Sequence, residues 1–297
     1  MTKHPQRSHD SLFKELISSF LEEFVLAFFP EVYEEIDFRK TTLLPTEHIT
    51  DMIDGNVYRV DLLFKTTLKY EDAFIIIHIE PQSSYKKGFQ ERMFRYFSLL
   101  YEKHRKHVIP IAIFSYNKMK KEETTFSIKF PFLSVLHFEF LALQLRRENW
   151  RSYLKQPNPV TAALLSKMGY KHKEKVEVKK GFLRMLVKLQ ITEAQTRLVT
   201  RFFESYLILN SEEEKKLLKE IPLLEKKEAK KIMELTTSWE RKGMEKGKLQ
   251  GKMEGRLEGK LEEKRNLAKK LLIDGFPLTK VAELTELSEE QMTEITK

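Results

Sequence analysis

Cysteine is missing from all 297 residues. That absence removes disulfides, thiolate metal sites and cysteine nucleophiles together, and it fits a reducing compartment. Long hydrophobic runs are missing too. The longest unbroken one, Phe24 to Phe29, falls far short of the roughly 20 apolar residues that span a bilayer. The first ten residues are polar and carry no apolar stretch of the signal-peptide kind. The expectation is a soluble, cytoplasmic protein with no membrane partner. There is no Walker loop, no Gly-x-Gly-x-x-Gly and no Gly-x-Ser-x-Gly, so nucleotide hydrolysis and serine catalysis have no foothold. Acidic surplus is also absent. Lys and Arg number 53 against 44 Asp and Glu, a formal +9, and such a surplus favours polyanions, nucleic acid above all.

What is present is organised around Val57 to Gln82. Val57-Tyr-Arg-Val-Asp61-Leu-Leu-Phe-Lys and Ala73-Phe-Ile-Ile-Ile-His-Ile-Glu80-Pro-Gln82 are two runs of strand length. The polar Lys69 to Asp72 between them signals a hairpin. Each run carries an acid where a buried strand would take another Val or Ile. A desolvated, unpaired carboxylate costs several kcal/mol, so Asp61 and Glu80 are expected to share a compensating partner. A divalent cation suits them, because hard cations take oxygen donors from a few well-placed carboxylates. By strand alternation Glu80 and Gln82 face the same way, and Asp61 comes close to Glu80 if the register sets them opposite. Glu15, beside the apolar stripe of the first helix, is a further member of the cluster. The competing reading is a hairpin with exposed ends whose acids are merely solvated.

Around this stretch the pattern predicts a helix from Asp10 or Ser11 to Pro30, with a core stripe from Leu12 to Phe29. Residues 31–47 read as loop with one short strand, and Ile49 to Ile53 as another strand before an Asp54-Gly55-Asn56 turn. A helix from Phe89 to about Lys103 and a strand from Val108 to Phe114 follow. They complete a β-α-β crossover with the strand ending at Glu80, which makes those two strands parallel. Phe126 to Phe130 and Val135 to Leu145 read as strands, the latter with His137 and Glu139 on a solvated face. From about Trp150 the texture turns helical, with Asn158-Pro159 as a cap and first-turn pair. Gly243, Gly247, Gly251, Gly255 and Gly259 recur every four residues, with Leu249, Met253, Leu257 and Leu261 at the same spacing. Relative to alanine, such glycines weaken a helix by about 4–5 kcal/mol in total. The segment reads as a tether-like helix, with self-association as the alternative. The end of the chain has a helix-turn-helix outline, but its acids outnumber its bases, the wrong sign for phosphate contacts. It reads as a protein-interaction or dimerisation element. Basic clusters at Lys103–His107, Lys118–Lys121, Arg146–Arg151 and Lys171–Lys180 are candidate DNA-backbone contacts. Each is also readable as a solvated face.

The residues carry a family resemblance. Asp61 followed by Glu80-Pro81-Gln82 resembles the Asp…Glu-x-Lys/Gln signature of the PD-(D/E)XK nuclease superfamily. His9-Asp10-Ser-Leu-Phe13-Lys14, Arg59-Val-Asp61-Leu-Leu, His78-Ile-Glu80-x-Gln82-Ser83 and Glu91-Arg92-Met-Phe-Arg-Tyr96 are similar to hallmarks of its Rpn/YhgA-like group. These are recombination-promoting nucleases also described as transposases. Asn149-Trp150-Arg151, Asn158-Pro159-Val160 and the glycine-every-four tail are similar to that group as well. The resemblance implies an α/β fold: a mixed central sheet flanked by helices, a restriction-endonuclease-like core, followed by an all-α lobe and helical tail. The texture change near Trp150, the glycine repeat and the closing helical pattern divide the chain into a nuclease-like domain over 1–150, a helical lobe over 151–240, a charged glycine-rich helical tether over 241–265 and a small helical end over 266–297.

The implied activity is Mg²⁺-dependent (or Mn²⁺-dependent) endonucleolytic hydrolysis of DNA, recombination-associated and of little sequence specificity. Asp61 and Glu80 would ligate the metal, Gln82 would stand in the Lys position, and Glu15 would match the acid placed on the first helix. Gln82 brings no positive charge to a phosphorane-like transition state, and Pro81 removes a ladder N–H beside it. Arg92, Lys86 and Lys87 are the candidates to supply that charge. The alternative is a catalytically inactive nuclease fold that binds DNA or acts as a scaffold. Self-association, as a homodimer or otherwise, is expected through the C-terminal helices.

Overall fold

The computed structural model describes residues 9–45, 61–69, 71–80, 88–117 and 119–296. The chain divides into two compact units, Met1–Ile232 and Met233–Lys297.

In the first unit a five-stranded sheet has the order β1-β2-β3-β4-β7. β2 (Leu62–Leu68) and β3 (Glu71–Glu80) form the expected hairpin, antiparallel, with Leu62 opposite Ile77 and Leu68 opposite Glu71. β1 (Thr42–Leu44) adds antiparallel to β2. α4 (Phe89–His104) then carries the chain to β4 (His107–Phe114), parallel to β3 with Glu80 opposite Phe114. This is the crossover that the spacing predicts. β7 (Leu141–Gln144) pairs parallel with β4. The arrangement is the mixed α/β sheet read from the sequence, and it gathers one edge. The end of β1, the start of β2 and the carboxyl ends of β3, β4 and β7 all lie there.

Two elements depart from the sequence reading. The first helix is not continuous to Pro30. α1 (His9–Ser19) stops at Phe20, whose φ of −143° and ψ of 43° leave the helical region, and α2 (Leu21–Phe28) starts after it. Ser18 and Ser19 are weak helix formers, and the break keeps both Phe20 and Phe24 buried. Pro30 opens the short α3 (Pro30–Tyr33) instead of closing a helix, the first-turn position in which its missing N–H costs nothing. The run from Val135 to Leu145 likewise splits. β6 (Leu133–Glu139) pairs with β5 (Thr125–Phe130) in a separate two-stranded sheet. Phe140, buried and donating its N–H to the Thr124 carbonyl at 3.0 Å, passes the chain to β7. His137 and Glu139 are exposed, as the alternation indicates.

One core joins Leu63, Phe74, Ile76, Ala112 and Phe114 of the sheet to Phe89, Met93, Tyr96 and Leu100 of α4. Leu62, Phe64, Ile75, Ile111 and Ile113, the alternate positions, are buried as well. α1 meets β3 and α7 (Glu193–Tyr206), and α2 meets α5 (Pro159–Leu164). Phe13 meets Phe202 edge-on, with ring centroids 4.8 Å apart. Asn158 caps α5 as its sequence indicates, accepting from the Val160 N–H at 2.9 Å and the Thr161 N–H at 3.1 Å. Its amide also donates to the Glu23 carbonyl at 2.9 Å, so one side chain both starts α5 and fastens it to α2. α6 (Lys175–Leu186) and α8 (Ser211–Glu220) complete this lobe.

α9 (Lys226–Ile273) runs through the repeated glycines without a break. At Gly251, Gly255 and Gly259 an added Cβ would meet open space, and Met253 and Leu257 are exposed. α10 (Leu278–Thr285) and α11 (Glu289–Thr296) fold back on its end around Ala268, Val281, Leu287 and Met292. Gly275, at φ +89°, makes the turn. Among the described residues no helix is long and apolar enough to cross a membrane.

Candidate functional site

Asp61 and Glu80 both lie at this edge of the sheet. Asp61 is the residue immediately before β2, at a bend. Because Leu62 pairs with Ile77, continuing the register sets Asp61 against His78 and two residues short of Glu80. The two acids are therefore diagonal neighbours, not a directly opposed pair. Diagonal positions of this kind lie about 7–8 Å apart, still within joint reach of one ligand. Glu80 is the last residue of β3.

Asp61 already has a partner. Its Oδ1 lies 2.9 Å from the Nζ of Lys14 on α1, and the Asp61 side chain is only 13% exposed. Lys14 and Glu15 flank the apolar stripe of α1, whose Phe13, Leu16 and Ile17 are buried. The helix therefore sends the two charges in different directions. Glu15 is held at 2.5 Å by Arg201 of α7. Thus α1 presents a cation, not the expected acid, to Asp61. Lys14 is the residue that sequence reasoning passed over, although it closes the His9-to-Lys14 motif. Its signal was its place beside the stripe.

Arg92, on the first turn of α4, lays its guanidinium over the Phe89 ring at 5.1 Å, a cation–π contact that holds the head near the start of the helix. Gln82, Pro81, Lys86 and Lys87 lie outside the described residues, as do the expected strand at Ile49 to Ile53, the Asp54-Gly55-Asn56 turn and Val57 to Val60. Among the described residues no group of three or more His, Asp and Glu side chains gathers in metal-binding range. By backbone register Asp61 and Glu80 stand at adjoining ends of hydrogen-bonded strands, and carboxylates are the donor type that a hard divalent cation takes.

Farther along the same edge, β4 and β7 end in basic chain. Gln144 accepts from the Glu122 N–H at 3.1 Å and donates to the Lys120 carbonyl at 3.0 Å. Arg147 donates to the Met119 carbonyl at 3.2 Å. The segment after β4 is thereby tied to the end of β7. Next to it, Gly169 donates to the Glu148 carbonyl at 2.8 Å, and Arg146 donates to the Met168 carbonyl at 3.1 Å. A Cβ on Gly169 would come within 2.6 Å of the Arg146 carbonyl oxygen, so only glycine permits this close approach.

Residues 7–133 match the family described as "Putative transposase, YhgA-like". This is the family that the motifs quoted from the sequence resemble. No curated protein matches the chain, and no solved structure does.

Proposed function

With residues 7–133 placed in that family, we propose that the chain is a Mg²⁺-dependent DNA endonuclease of the recombination-associated type, with little sequence preference. The observation that carries this reading is the sheet edge. Asp61 and Glu80 stand at adjoining ends of β2 and β3, on the side where the parallel strands end. Ligands of open α/β sheets gather at that side. Asp61 and Glu80 would hold the cation, which when bound activates a water and neutralises charge on a phosphoryl oxygen. Lys14 orients the Asp61 carboxylate and brings to the edge the positive charge that glutamine at position 82 lacks. Glu15, through Arg201, anchors α1 so that Lys14 keeps its place. Arg92, Lys86 and Lys87 serve as contacts to the DNA backbone, which suits their charge and the chain's net +9.

Plasmid nicking tests the assignment. Purified wild type with Mg²⁺ nicks supercoiled DNA, and Asp61→Ala and Glu80→Ala abolish the activity. Equal nicking by all three would sink it.

A second reading is favoured by the ion pair itself: with Lys14 on Asp61, the acid is already neutralised, and the fold could serve as a non-catalytic DNA-binding module. That reading requires salt-sensitive DNA binding unaffected by EDTA or by Asp61→Ala. Self-association belongs to the second unit, where Met253 and Leu257 offer exposed apolar side chains along α9. The acidic α10–α11 end suits a protein partner better than DNA.

A further inference from the structure

The basic end of the sheet edge holds a cavity of about 240 Å³, open to solvent. Its wall includes Arg146, Lys167, His172, Lys175, Tyr170 and Tyr206, and among the described residues that line it there is no carboxylate. The cavity follows from local structure. α5 ends in a tight turn, Leu165–Lys167, where Ser166 donates to the Ala163 carbonyl at 2.8 Å and Tyr170 donates to the Ser166 carbonyl at 3.0 Å. Clamped by Gly169 against the chain after β7, this turn carries Lys167 inward among buried Leu164, Leu165 and Met168.

Lys167 is only 8% exposed. Among the described residues no Asp or Glu lies within ion-pair range of it. Its ammonium rests over the Tyr206 ring at 4.7 Å, and Arg146 lies over Tyr170 at 5.7 Å. Burial, with the Arg146 guanidinium beside it, pushes the Lys167 ammonium down to about 8. A largely buried ammonium set over the Tyr206 ring and repelled by a neighbouring cation, with no acid in ion-pair range among the described residues, is an arrangement that an anion would complete.

We propose that this cavity is a phosphate-binding site, seating a phosphoryl dianion between Arg146, Lys167 and Lys175. A carboxylate would neutralise one of these cations. A phosphate dianion offers three acceptor oxygens and enough charge for several, and the planar Arg146 fork suits it in particular. The volume, several times the roughly 30 Å³ of one water, admits the phosphate with part of its ester. Two sources share this chemistry: the terminal phosphate of a nucleic-acid strand, and free phosphate or a small phosphomonoester. The site needs nothing from Asp61 or Glu80 and does not depend on metal-assisted hydrolysis.

The test uses the full chain near neutral pH, with ligand-induced melting shifts and binding titrations. The probes are inorganic phosphate and short oligodeoxynucleotides bearing a 5′-phosphate or a 5′-hydroxyl. Phosphate raises the melting temperature of wild type at matched ionic strength. Lys167→Met and the surface variant Lys175→Ala each weaken its binding about tenfold or more. Lys167→Met itself melts no lower than wild type, which a merely structural lysine would not allow. Stronger binding of the 5′-phosphorylated strand than of inorganic phosphate assigns the site to nucleic-acid ends. Equal binding assigns it to free phosphomonoesters. Phosphate that binds wild type and both variants alike, or that binds none of them, overturns the proposal.

Discussion

The two ends of one sheet edge handle buried charge in opposite ways. At the start of β2 an acid, Asp61, is nearly covered and has a cation, Lys14, at 2.9 Å. Beyond the end of β7 a cation, Lys167, is more deeply covered and rests over a tyrosine face, with no acid in ion-pair range among the described residues. Strands are spaced about 4.8 Å apart, and β2 and β7 are three steps apart in the sheet. The start of β2 and the end of β7 are therefore roughly 14 Å apart across the sheet. One charge is compensated within the fold and the other is left for something outside it. A compensated acid can hold its geometry with no ligand present. An uncompensated lysine lowers stability until a ligand arrives, and that difference is measurable.

The largest effect is expected at the acid end. Removing either Asp61 or Glu80 lowers the plasmid-nicking rate at least 100-fold, about 2.7 kcal/mol of barrier, while leaving phosphate binding at the Lys167 cavity unchanged. Loss of both functions together would mean that the two ends are one site.

Next comes the stability of Lys167→Met. The folded-state value of Lys167, about 8, lies below the ordinary 10.5. Between those pH values the unfolded chain binds a proton that the folded chain does not, so stability climbs as pH rises. Below about 8 the full cost of burying the charge is present, on the order of 3 kcal/mol. Lys167→Met should therefore melt higher than wild type near neutral pH, and the advantage should shrink between about pH 8 and 10.5. Urea unfolding at a series of pH values checks the sign.

The mirror-image change, Lys14→Met, removes the Lys14 ion pair from Asp61 and should cost about 1 kcal/mol, since the pair is part-exposed and screened. It should also slow nicking without altering phosphate binding. A stabilising Lys14→Met would make the two ends alike and remove the contrast. Smallest of all is Leu257→Glu on α9, in the second unit, which should leave both activities and the melting of the first unit unchanged. Light scattering reports its effect, a lower mass if α9 mediates self-association.

Much of the acid end was legible in the sequence. The hairpin, the crossover through α4 and the positions of Asp61 and Glu80 follow from strand-length apolar runs interrupted by acids and from one helical stripe. Register was not legible, because pairing is fixed by turn geometry and packing together. One hairpin can place Asp61 beside Glu80 or beside His78 with the same residues. Nor was the break at Phe20, since Phe20 and Phe24 keep helical spacing on both sides of it. The split at Phe140 was hidden for a similar reason: β6 and β7 are both apolar alternations, and only tertiary pairing sends them to different sheets. Two of the four basic clusters, Arg146–Arg151 and Lys171–Lys180, contain walls of the phosphate cavity. Lys167 belongs to neither. It sits in Leu164-Leu165-Ser166-Lys167-Met168, a lone charge in an apolar run. That is the same signal that marked Asp61, here carried by a base.

The central claim is that Asp61 and Glu80 are jointly the ligands of a divalent cation. A crystal of the full chain soaked in Mn²⁺ tests it most directly. An anomalous peak in ligating contact with both carboxylates, lost in Asp61→Ala, is the expected result. An edge that takes up no Mn²⁺, with Lys14 still on Asp61, would contradict it.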